Sequence, residues 1–157
     1  MATDVPFPDC IIEVLKTRLG TISGVSGVLV RPLEPTDPNG SVAVTFELWQ
    51  PVQIEMGTGR GFDPSLSDYV LHIEHMVKHA EREAGYLQHR TVATKIRSML
   101  YRDTDTQVAF RQLAYIDSLV HERLMKWSLE QRFAANQINK SFYFVSGTTA
   151  TFQTETV

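Results

Sequence analysis

The sequence predicts an α+β fold: a mixed or antiparallel sheet with one long and one or two short helices packed on one face. Three observations predict it. Val42, Val44, Phe46 and Leu48 alternate with Ala43, Thr45, Glu47 and Trp49, the period-two pattern of a half-buried strand. The run Tyr69–His79 alternates in the same way, with Tyr69, Leu71, Ile73, His75 and Val77 on one side. That run passes, without a Gly/Pro-rich break, into a 3.6-residue pattern that continues to Tyr101. A strand flowing into a long amphipathic segment is the signature of a helix laid on a sheet.

The elements follow in order. Asp9–Leu19 is a helix, with Asp9 as its N-cap, Gly20 at its end and Ile11, Ile12, Leu15 and Leu19 as one apolar stripe. Residues 1–8 are expected to be a flexible N-terminal segment. Val25–Val30 is a short strand, and residues 31–40, with three prolines and a closing Asn-Gly, form a loop. The strand from Val42 is interrupted by Pro51, which lacks an N–H and so belongs at an edge or a bulge; Val52, Ile54 and Met56 resume the alternation. Gly57–Ser67 reads as a flexible loop at the tip of a long hairpin whose second arm is Tyr69–His79. Such an arm would span about 36 Å, long enough to project beyond the sheet.

The long helix is expected from Ala80 to Tyr101, with Ala84, Leu87, Val92, Ile96, Met99 and Leu100 inward. Asp103-Thr-Asp-Thr106 breaks it and caps a third helix over Gln107–Leu113, although Val108 and Phe110 also permit a strand. Met125–Phe133 alternates as a strand. Ser141–Ser146 and Thr148–Thr156 read as two further strands separated by Gly147, and the polar stretch 148–157 reads as a frayed strand or a C-terminal arm. No repeat or linker divides the chain, so 1–157 is expected to be a single domain.

Composition narrows the function. The chain has 157 residues, of which 43% are hydrophobic and 21% charged, so a core can form without disulfide or metal staples. A net charge of -3 argues against a protein whose main task is to grip phosphate backbones. The single cysteine, Cys10, precludes an internal disulfide and fits a reducing compartment. No membrane-spanning run and no secretory leader are expected, and synthesis in the cytoplasm follows.

Candidate chemistry is sparse. His72, His75 and His79 flank Glu74; on a helix they would gather on one face and could hold zinc. On the strand that the alternation favours, His72 points away from His75 and His79, which stand about 13 Å apart. Cys10, beside a helix start, reads as core packing. Gly57-Thr-Gly-Arg-Gly-Phe lacks the Gly-Lys-Ser/Thr of a phosphate loop, and its Arg60 and Phe62 read instead as partner-docking residues. Arg82, Arg90, Lys95, Arg97 and Arg102 suit a solvated helical face, or a surface touching nucleic acid. Trp49 and Trp127 read as core or interface residues. No catalytic residue, metal ligand or cofactor is assigned.

The element order carries a resemblance. A short amphipathic helix, a Pro-rich loop, a strand ending near Trp49, a glycine loop, a long strand entering a helix and the late Met125-Lys-Trp-Ser-Leu-Glu-Gln-Arg-Phe133 segment succeed one another. Over residues 9–150 this resembles the tail terminator proteins of tailed bacteriophages. The resemblance implies a non-enzymatic virion protein of the tail or neck: a ring of copies, typically six, that caps the tail tube protein and docks the head–tail connector. Genomic DNA would pass through such a ring without specific binding. The alternatives are a head-closure or tail-completion neck protein, a small metal-dependent enzyme using His72, His75 and His79, and a ligand-binding module with a pocket between the long helix and the sheet.

Overall fold

Alternation along two neighbouring segments produces a long hairpin, and the helices close over the face that its apolar residues share. The computed structural model describes residues 7–56, 59–116, 122–138 and 140–156. Among these the chain order is α1 (Phe7–Leu19), β1 (Gly27–Leu29), β2 (Ser41–Met56), β3 (Gly59–His79), α2 (Arg82–Arg102), α3 (Thr104–Ile116), β4 (Glu122–Ile138) and β5 (Ser141–Thr156). The strands form one sheet in the order β1-β2-β3-β5-β4. β1 is parallel to β2, and every other neighbouring pair is antiparallel. The expected α+β architecture with a mixed sheet is therefore observed.

Residues paired directly across a ladder share a face. Tyr69, Leu71, Ile73, His75 and Val77 of β3 lie opposite Phe152, Ala150, Thr148, Ser146 and Phe144 of β5. All ten are buried. Over them pack Ile11, Ile12, Leu15 and Leu19 of α1, Val92, Ile96, Met99 and Leu100 of α2, and Phe110 of α3. Phe110 meets Phe152 edge to face, with centroids 5.4 Å apart. Each fully buried Leu, Ile or Phe contributes about 1.5–3 kcal/mol. A one-residue slip of β3 would turn Leu71 and Ile73 to the other face, so burial sets the register. Cys10 packs against this core as a small apolar group.

The other face has no helix over it among the described residues. Only the 31–40 loop crosses there: the Leu33 N–H donates to Glu74 Oε2 at 3.3 Å, and Lys78 Nζ donates to the Asp37 carbonyl at 2.6 Å. The loop holds itself through Asp37, which is buried and accepts from the Arg31 guanidinium and from the Glu34 N–H at 2.7 Å.

Several boundaries depart from the sequence reading. α1 begins at Phe7, so Asp9 lies inside its first turn. Pro8 is tolerated there because its missing N–H has no intrahelical acceptor to lose. Ser67 and most of the supposed glycine loop are strand: β2 and β3 pair out to Met56 and Gly59, so only residues 57–58 of the expected loop lie outside the described residues. Pro51 sits in the ladder beside a register shift between Pro51 and Gln53, on the stretch of β2 that β1 does not reach. The third helix is longer than expected, and Asp103 caps it by accepting from the Thr106 N–H at 3.0 Å.

The largest correction concerns the C-terminal third. Ser141–Thr156 is one continuous strand, and it lies between β3 and β4. The Thr-rich stretch is thus an inner strand, and Thr148, Phe152 and Thr154 are buried in it. Gly147 is not a turn. A Cβ there would stand 3.0 Å from His72 Cε1, so the glycine makes room for a neighbouring ring.

Candidate assembly interface

The three strand histidines do not converge. His72 faces the side that carries no helix, 3.3 Å from Glu74. His79 closes the strand, and its Nδ1 accepts from the Glu81 N–H at 2.9 Å. His75 points into the core, where its ring stacks on that of His89 from α2, with centroids 5.3 Å apart and planes 3° from parallel. Among the described residues no three His, Cys, Asp or Glu side chains gather as a metal site.

His89 is the residue that the sequence reading missed. It lies on the buried stripe of α2 with Gly85, Val92, Ala93 and Ile96, three residues before Val92 and seven before Ile96. Helical spacing alone would have placed it inward. Leu87, expected inward, is instead 62% exposed. Gly85 allows the helix to come close: a Cβ would meet His79 Cβ at 2.7 Å and Phe144 Cε2 at 2.8 Å. His75 Nδ1 and Nε2 and His89 Nε2 are buried without hydrogen-bond partners. Burial therefore disfavours the charged rings. It lowers the His75 pKa to about 4, helped by the neighbouring His89, and it lowers that of His89 as well. The pair is neutral packing, continued by Phe144 and Phe133 against the His89 ring at 6.0 and 5.9 Å.

Beyond Phe133 the packing opens. α2 lies over β3 and β5, and between it and β4 runs a groove of about 1080 Å³. Phe133, Phe144, Ala135 and His89 line it together with Arg82, Arg90 and Arg97. Three of the five cations expected on a solvated helical face thus border one depression. Arg90 is steadied by a 3.0 Å hydrogen bond to the Tyr86 hydroxyl. The groove has an apolar floor, with Phe133 60% exposed, and a net-basic rim in which three arginines face one carboxylate, Glu83.

Both lateral edges of the sheet are open among the described residues. Among the described residues no strand pairs with the outer side of β4, Glu122–Ile138. β1 covers β2 at Ser41, Val42 and Ala43, and among the described residues no strand lies outside Val44–Met56. Unpaired N–H and C=O groups along such edges are templates for another strand. Among its described side chains, the exposed large apolar ones of β2 are Phe46, Leu48 and Trp49, at 46%, 40% and 53%. Trp49 is therefore a surface residue of a free edge; the side chain of Trp127 lies outside the described residues.

The distal β2–β3 hairpin extends past the end of β5, whose last pairing with β3 is at Leu66. Arg60 and Phe62 lie on this extension, paired through their backbones with Glu55 and Gln53. Their side chains lie outside the described residues. Among the described residues no helix is long and apolar enough to cross a membrane.

No protein-family model matches the chain, and no curated protein matches it. Among solved structures, a chain described as "Virion of native gene transfer agent (GTA) particle" is similar, with a TM-score of 0.41 and 14% identity, over 88% of this chain and 91% of that chain.

Proposed function

We propose that the protein is a non-enzymatic structural component of a phage-like virion, and within that class a tail terminator: a ring of copies, six by the sequence resemblance, that caps a tail tube and docks a head connector. The observation that carries this reading is the open sheet, free at both lateral edges among the described residues and lined at each by exposed aromatic or aliphatic side chains. A monomeric domain ordinarily blunts such edges, whereas a ring uses them as heterologous contacts that close by rotation. The projecting hairpin with Arg60 and Phe62 is proposed as the contact to the tube or connector. A net charge of -3 suits a lumen through which DNA slides without being held.

The reading has a direct test. The protein is added to polymerising tail tube protein, and tube lengths are measured by electron microscopy. Elongation stops, and a ring stands at one tube end. Unchanged tube lengths, together with a single-copy mass by light scattering up to millimolar concentration, would overturn it.

A further inference from the structure

We propose that the groove between α2 and β4 is the seat of the free β2 margin, Val44–Met56, of a second copy of this chain. The inference rests on the self-assembly reading and specifies which surfaces meet.

Strand direction comes first. β2, β3, β5 and β4 are joined by three antiparallel steps, so β4 runs opposite to β2. A copy placed beside β4 in the same orientation therefore offers its β2 antiparallel to β4, with both helix layers on the same side. The sheet then continues from one copy to the next, and both rows of unpaired backbone groups are satisfied. The lengths suit each other, since β4 has 17 residues and the open part of β2 runs from Val44 to Met56.

The side chains agree with the backbone. Phe46 is paired with Leu71 and Trp49 with Tyr69, which places both on the helix-covered face. Phe133 is paired with Ser146, and Ser146 with His75, which places Phe133 on that same face. Continuing the sheet would lay the exposed Phe46 and Trp49 of one copy over the exposed Phe133 floor of the next. Charge agrees too: along the groove Arg82, Arg90 and Arg97 outnumber the one carboxylate, Glu83, while Glu47 and Glu55 are the charged residues of β2, both acidic. A two-fold pairing of β4 with its own copy would instead bring two arginine rims together and leave Phe46 and Trp49 in water.

Sedimentation velocity on two variants, alone and mixed, tests the assignment. Phe133→Asp damages the groove, and Trp49→Asp damages the margin; both side chains are largely exposed, and circular dichroism confirms that each variant folds. Phe133→Ser and Trp49→Ser serve as the milder pair should an Asp variant unfold. Each variant alone sediments as a single copy. Their equimolar mixture forms a two-copy species and nothing larger, because each retains the one surface that the other lacks. Self-association of Trp49→Asp but not of Phe133→Asp would overturn the proposal in favour of two-fold β4 pairing. Wild-type-like assembly of both variants would overturn it while leaving the ring intact. A wild type that never self-associates would remove the ring reading and this proposal with it.

Discussion

At the scale of single residues, the His75–His89 stack links packing to pH. Two imidazoles that would be solvated and half-charged near pH 6.5 in the unfolded chain are held neutral by burial. The unfolded chain thus binds more protons than the folded one between about pH 6.5 and about 4. Stability is full above that window and declines as pH falls through it. For His75 alone the loss approaches about 3 kcal/mol at the acid end, since each pH unit crossed within the window removes about 1.4 kcal/mol. Urea unfolding at pH 7 and pH 5 should show the decline, and His75→Phe should flatten it; an undiminished slope in that variant would mean that the stack is not its source. Gly85 offers a second test. Alanine is the better helix former by about 1 kcal/mol, yet a methyl group here meets two side-chain carbons under 3 Å away. We expect Gly85→Ala to lower the melting temperature, and a rise would show that α2 can retreat from β5 without cost.

At the scale of elements, the α2–α3 corner depends on one carboxylate. Asp103 accepts from the Thr106 hydroxyl and N–H and from Arg18 of α1 at 2.6 Å. These contacts, the Thr106 hydroxyl foremost, hold its pKa below the usual carboxylate range. One side chain thereby caps α3 and ties three helices together. Asp103→Asn keeps an acceptor for the cap but loses the ion pair, whereas Asp103→Ala loses both. Thermal melts should rank the proteins wild type, Asn, Ala in falling stability. Equal melting points for the two variants would show that the cap adds nothing beyond the charge. The cap was legible in the sequence because Asp-Thr-Asp-Thr is a local signal. The length of α3 was not, because Val108 and Phe110 are compatible with either period.

At the scale of the whole molecule, the projecting hairpin is separate from the core. Among the described residues its outer part pairs within itself, beyond the last β5 partner at Leu66. Replacing residues 53–64 with a two-residue turn should leave the melting temperature nearly unchanged while weakening docking to the tube or connector, read by co-sedimentation. Loss of folding would show that the arm belongs to the core.

The local pattern was sufficient for the α+β class, the direction of β3, the inward face of α1 and the Asp103 cap, because each depends on neighbours within a few residues. The separation of His72 from His75 was equally legible, since side-chain alternation is a property of the strand itself. The sequence alone did not show that Ser141–Thr156 is an inner strand. A polar, Thr-rich segment looks peripheral until β4 is known to lie outside it, and Gly147 looks like a turn until His72 is known to fill the space beside it. Nor could it bring His89 against His75 or form the groove behind Phe133. Those arrangements depend on where α2 crosses the sheet, and that is decided by long-range packing between residues far apart in the chain.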